Sequence, residues 1–150
     1  MKKVYLIGMF IIGTIFVGNS AHSEIWKDYD LSEQVTELTV LSVKSNYVDA
    51  YLVRLETTWV TAMEILKDEG VITGYGIWVS NTADSPNVWL TVDYPDMGSM
   101  QGNEARYDML MKQMSERFEA DQEQNNEVAR GYEDYRDIVD YAILRQVTYK

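Results

Sequence analysis

Few residue types able to do chemistry remain in the body of this chain. It contains no cysteine, and its one histidine, His22, lies in an N-terminal stretch that reads as a secretory leader. Without thiol or imidazole there is no soft nucleophile, no base poised near neutral pH and neither of the main transition-metal ligands. No Gly-x-Ser-x-Gly elbow is present, and the lysines that could serve a serine as base (Lys27, Lys44, Lys67, Lys112, Lys150) fall mostly at element ends or on polar faces. What is left is aromatic, acidic and cationic. Tyr75, Trp78, Trp89, Asp93 and Arg145 are the candidate ligand-binding residues. No catalytic residue follows from the spacing, and neither a metal nor a cofactor is expected.

Each candidate has a plainer reading beside it. Trp78 and Trp89 can stack a ligand or simply pack an interface, and packing is the commoner use. Arg145 lies in phase with Tyr141, Ile143, Val147 and Tyr149. If that phase faces a partner sheet, a buried guanidinium needs a carboxylate, and Asp93 is the expected partner. A structural ion pair is the simpler account; orientation of a polar or anionic ligand is the sharper one. Trp59 reads as a core anchor. The acidic run Glu133, Asp134, Asp137, Asp140 lacks a calcium-loop pattern and reads as a helix surface, paired with Arg130 and Arg136. The methionines at 97, 100, 109, 111 and 114 read as gap-fillers rather than a copper site.

The elements that must position these residues follow from periodicity. Val35 to Lys44 is rich in β-branched residues and predicts a strand, preceded by a flexible lead-in over 24–34. Asn46 can cap a helix whose apolar stripe is Val48, Tyr51, Leu52, Leu55, Trp59, Ala62 and Leu66, ending at Gly70. Residues 71–81 alternate, with Tyr75 and Ile77 opposed to Gly74, Gly76 and Trp78. Residues 88–94 alternate too, Val88, Leu90, Val92 and Tyr94 opposed to Trp89, Thr91 and Asp93. The two runs predict a hairpin. A second helix has the stripe Tyr107, Leu110, Met111, Met114 and Phe118; it is interrupted over 120–127 and resumes with Val128, Tyr132, Tyr135 and Val139. A last strand spans 141–149.

Strand, helix, strand, strand, helix, strand is the order of the ferredoxin-like α+β fold, an antiparallel sheet with helices on one face. Trp78, Trp89, Thr91 and Asp93 then occupy the uncovered face, where Gly74 and Gly76 leave space. Exposed aromatics of that size cost about 25 cal/mol per Å² of apolar area. A second subunit, a ligand, or both should cover them, and two sheets packed across a homodimer interface is the expected solution.

Location is read from the N-terminus. Lys2-Lys3, the apolar run Val4 to Val17 and the small-residue stretch ending Ala21-His22-Ser23 have the layout of a signal peptide, expected over 1–23 with cleavage after Ser23. The product is expected to be periplasmic or secreted. Cleavage leaves roughly 125 residues, one domain, here 35–150. The formal charge of −11 becomes −13 without Lys2 and Lys3, eleven basic against twenty-four acidic residues. A surface that acidic repels phosphate backbones and anionic lipid, which excludes nucleic acid and, after cleavage, the membrane as partners.

From about Thr39 to Lys150 the chain resembles a family of small exported or uncharacterised bacterial proteins with the dimeric α/β-barrel form of the ferredoxin-like fold. The matching features are Tyr51-Leu52 through Trp59, Met63-Glu64, Lys67, Gly70 and Tyr75. The strand Trp89-Leu90-Thr91-Val92, with Tyr94 and Met97, follows; Arg130-Gly131 and Arg136 precede the last strand. The wider superfamily includes cofactor-free monooxygenases and haem-degrading enzymes. The resemblance therefore implies a homodimer, and leaves enzyme and non-enzyme readings open. The first is an exported homodimer binding a small, partly aromatic or amphipathic ligand between its sheets. The second is a cofactor-independent monooxygenase-like enzyme, and the third a structural interaction module whose barrel interior is filled by side chains.

Overall fold

A computed structural model describes residues 26–81, 85–118, 131 and 134–150. The expected signal peptide over 1–23, the interruption at 120–127, and Arg130 and Glu133 lie outside these residues, as do Val128 and Tyr132. The described order is β1 (Tyr29–Val43), α1 (Val48–Leu55), α2 (Thr61–Asp68), β2 (Gly74–Val79), β3 (Val88–Tyr94), α3 (Glu104–Phe118) and β4 (Arg136–Tyr149). The four strands form one sheet in the order β2-β3-β1-β4, every pair antiparallel. That order, with one helical run between β1 and β2 and another between β3 and β4, is the ferredoxin-like α+β fold.

Register assigns each side chain to a face, because directly paired residues point the same way. One face carries three rows: Trp78, Trp89, Val40 and Asp140; Gly76, Thr91, Leu38 and Ala142; Gly74, Asp93, Thr36 and Leu144. The other carries Tyr75, Val92, Glu37 and Ile143, then Ile77, Leu90, Thr39 and Tyr141, and at one end Tyr94, Val35 and Arg145. Helices pack on this second face. Leu41, Val43, Val88 and Leu90 meet Tyr51, Leu55 and Tyr135 in one cluster, while Val92 meets Leu66 and Ile72 in another. Trp59 packs against both, the anchoring role expected of it.

Several boundaries differ from expectation for local physical reasons. The strand expected from Val35 begins at Tyr29, so the second half of the lead-in is strand, paired with the end of β4 through Tyr29 opposite Tyr149. Such pairing is non-local and leaves no mark in a polar stretch. Asn46 does not cap the first helix; it sits in a 3-10 turn, Ser45–Tyr47, and α1 starts with no side-chain cap. Between α1 and α2 the helix widens into a π turn, Glu56–Val60. Three hydroxyls serve carbonyls there: Thr57 and Thr58 donate to the Arg54 carbonyl, and Thr61 to that of Glu56, five residues back. Gly70 ends the run at φ +69°, as its type predicts.

The second half of the chain departs further. The resumed helix expected through Tyr135 and Val139 is instead a turn followed by β4, which starts at Arg136. Tyr135 is buried, but as an anchor beneath β1 and α1. Its backbone carbonyl accepts from Lys44 N at 2.9 Å, so the turn before β4 is tied to the end of β1. Asp137 and Asp140 are therefore strand residues, not members of a helix-surface ladder. On α3, Tyr107 is exposed rather than part of a buried stripe, and Leu110 supplies the packing against the Leu66 cluster.

Candidate functional site

Two places concentrate polar and aromatic side chains, and they lie on opposite faces of the sheet. On the face away from the helices, Trp78 stands directly opposite Trp89 and is 62% exposed. Strand alternation put both there, and the register agrees. Around them the apolar residues Leu38, Ala142 and Leu144 share the surface, with Asp93, Asp140 and, opposite Ser42, Asp137 as acids. No described element covers this face.

The space beside the tryptophans is smaller than the two glycines suggest. A Cβ on Gly76 would lie 2.8 Å from Thr91 Oγ1 and 3.0 Å from Trp78 Nε1. The indole therefore lies over Gly76, and its N–H donates to Thr91 Oγ1 at 3.4 Å. The absent side chain makes room for Trp78 itself, not for a ligand. At the other end of the face, Thr36 Oγ1 donates to Asp93 Oδ1 at 2.5 Å, and Asp93 Oδ2 lies 3.3 Å from where a Gly74 Cβ would stand. A shallow polar groove of about 220 Å³ remains there, lined by Ser32, Gln34, Thr36, Asp93 and Gln146.

Two of the five sequence candidates lie on the other side. Tyr75 faces the helices: its ring meets Trp59 edge-on at 5.5 Å and its hydroxyl donates to Glu64 on α2. That bond, burial and the Glu64 charge push the Tyr75 phenol up to about 12. Arg145 pairs with Val35, which is fully buried beneath the helices, so it too points away from Asp93. The expected Asp93–Arg145 ion pair does not form. A register break in β1 between Leu31 and Val35 explains what Arg145 does instead. Ser32 lies in that break and Leu31 at its edge, and the guanidinium bonds both carbonyls, Nε donating to Ser32 O at 2.7 Å and Nη2 to Leu31 O at 3.3 Å.

Sequence reasoning missed a second cluster, on the helix side. Glu37 lies in the middle of β1 between Tyr94 of β3 and Tyr141 of β4. The Tyr94 hydroxyl donates to Glu37 Oε2 at 3.3 Å. Burial first, then the Glu37 charge and this bond, push the Tyr94 phenol up to about 12. Tyr141 is raised as well, by burial and then by the charge and hydrogen bond of the same carboxylate. Both phenols stay protonated at neutral pH and act as donors, not bases. A lone glutamate inside VTELTVLSV was the available signal, since a charge amid β-branched residues needs partners. Its partners lie on strands 57 and more residues away in sequence, which no local pattern reveals.

A third group is structural. Arg54 Nη1 donates to the Tyr135 hydroxyl at 3.0 Å and Arg136 Nη1 to the Tyr51 hydroxyl at 2.9 Å. Each guanidinium also lies over its tyrosine's ring, at 5.7 and 5.6 Å from the centroid. Tyr47 stacks on Tyr135 at 5.5 Å, so the start of β4 is locked to the start of α1. Among the described residues, no three acids converge in a way that could hold a metal ion.

No protein-family model matches the chain, and no curated protein matches it. Among solved structures it is similar to a NIPSNAP family protein from Agrobacterium tumefaciens, at 11% identity over 79% of this chain and 87% of that one, with a TM-score of 0.43. It is also similar to a dimeric ferredoxin-like protein from an uncultured marine organism, at 13% identity over 79% and 96% of the two chains and a TM-score of 0.40. A dimeric protein of unknown function with a ferredoxin-like fold from Bacteroides fragilis matches at 11% identity over 81% and 100%, again with a TM-score of 0.40. At such scores the likeness adds nothing to the strand order, which assigns the fold by itself.

Proposed function

We propose that the chain is exported and works as a homodimer whose two sheets pack through the Trp78–Trp89 face, holding a small, partly aromatic ligand at the polar end of that face. The observation that carries this reading is the tryptophan pair itself, side by side on a surface that no described element covers. Leaving it in water costs about 25 cal/mol per Å², and a sheet face of this kind approaches the roughly 800 Å² per partner of a standard interface. Of the chain's 24 acidic residues this face carries Asp93 and Asp140 in its three rows and Asp137 in the next, opposite Ser42, so two copies meeting there must keep these carboxylates apart or solvated. The ligand would place its aromatic part on the indoles and hydrogen-bond donors on Asp93 and its neighbours in the groove. Export rests on the layout of residues 1–23.

Light scattering after size exclusion at micromolar concentration is expected to give twice the mass of the mature chain, and Trp78→Glu to give one. A monomeric parent protein would overturn the reading. Mass spectrometry of the exported product should find no Met1. A second reading, a sheet pair closed on itself with nothing bound, is favoured by the way Trp78 fills the space over Gly76. Native mass spectrometry separates the two: a retained small molecule supports the first, and bare dimers support the second.

A further inference from the structure

On the helix side, a cleft of about 250 Å³ opens between the end of β3 and the first turns of α3. Leu66 and Val71 form one wall, and Leu110 and Met100 another. Tyr94 and Arg106 supply the polar groups. Its volume lies just under the roughly 300–1,000 Å³ usual for ligand pockets, enough for a single-ring compound.

Arg106 is the feature that gives this cleft a chemistry. Its backbone N–H takes Asn103 Oδ1 at 2.9 Å, and its Nη1 donates to the Ser99 carbonyl at 2.8 Å. The guanidinium is thus held in place by one bond, out of the five donors an arginine has. It makes no ion pair among the described residues, although the chain has nearly two acids for each base. A half-buried cation beside apolar walls favours an anion, and a planar guanidinium favours a carboxylate. Tyr94 sets where that anion sits. Its hydroxyl hydrogen is committed to Glu37, so this end of the cleft presents no free donor and has a carboxylate behind it.

We propose that this cleft binds a small monocarboxylate with an aromatic or compact aliphatic body, the carboxylate on Arg106 and the body against Leu66, Val71 and Leu110. The site lies within one protomer and does not depend on how the opposite sheet face is covered.

The test uses the mature chain labelled at its methionine methyls, titrated with 3-phenylpropanoate and, separately, with the neutral 3-phenylpropanamide. The acid is expected to shift the Met100 methyl saturably and to bind about tenfold more tightly than the amide, the margin of a charge-assisted hydrogen-bonded pair. Arg106→Gln should bring the acid down to the affinity of the amide. Equal affinity of acid and amide for the unaltered protein would overturn the assignment, and so would an acid affinity that Arg106→Gln leaves unchanged. No Met100 shift at about 10 mM ligand would do the same. Should Arg106→Gln fail to fold, the acid-against-amide comparison on the unaltered protein still decides.

Discussion

At the scale of single residues, the polar side chains that matter are those holding strands together. Asn87 is 4% exposed and acts as an inserted strand segment: its Oδ1 accepts from Val43 N at 2.8 Å and its Nδ2 donates to Val43 O at 2.7 Å. Asn87→Ala leaves both backbone groups buried and unpaired, so urea denaturation should show a loss of about 1–3 kcal/mol or more. Tyr75 and Tyr94 give a pH signature. Their phenols are raised to about 12 from an ordinary 10, so the fold favours the neutral form. The stability they contribute is complete below pH 10 and is lost as pH rises from 10 towards 12, where the unfolded chain has ionised and the folded one has not. Titration of phenolate absorbance should show at least two late tyrosines, with Tyr75→Phe and Tyr94→Phe each removing one and flattening the fall in stability above pH 10.

At the scale of elements, β2 and the helix opposite it show how a small residue or an extra one redirects a neighbour. Gly76 exists in its strand because the Trp78 indole crosses it. Gly76→Ala must displace Trp78 or Thr91, and is expected to cost about 1–3 kcal/mol and to shift the tryptophan emission. An emission spectrum matching the parent would show that the indole does not lie there. The π turn between α1 and α2 does comparable work on the core side. It lets one helical run serve two clusters, Tyr51 and Leu55 in the first and Leu66 in the second, with threonine hydroxyls taking the carbonyls that the wider turn displaces. Heptad-like spacing alone predicts a straight helix here, because an inserted residue leaves the three-and-four spacing of the apolar stripe readable on either side of it.

At the scale of the whole molecule, apolar surface is distributed unequally. The helix side closes over β1, β2 and β3, whereas the sheet's other face and much of β4 stay open among the described residues. Leu144 shares the tryptophan face through its row with Thr36 and Asp93, while Val53 on α1 is exposed elsewhere. In the proposed dimer, Leu144→Glu should weaken self-association at least tenfold and Val53→Glu should leave it unchanged, both read by analytical ultracentrifugation. Salt offers a second reading of the same interface. Two subunits of so acidic a chain, −11 each for the full sequence and −13 in the proposed exported form, repel, so raising ionic strength from 0.05 to 0.5 M should tighten the dimer; loosening would point to an interface held by ion pairs instead.

Alternation and helical spacing were enough to read the element order, the helix-side phase of Val88, Leu90 and Val92, and the outward phase of Trp78 and Trp89. Those signals are local, because each residue's direction is set by its neighbours two, three or four positions away. What only the tertiary structure decided is everything that depends on a partner from far along the chain. The pairing of Arg145 with Val35, which turns it away from Asp93, the contact of Tyr75 with Glu64 and Trp59, the strand that replaces a helix at Arg136, and the gathering of Tyr94 and Tyr141 on Glu37 are of this kind. Strand pairing brings together residues whose spacing in sequence carries no trace of it, and a one-residue shift in register moves a side chain from one face of a sheet to the other.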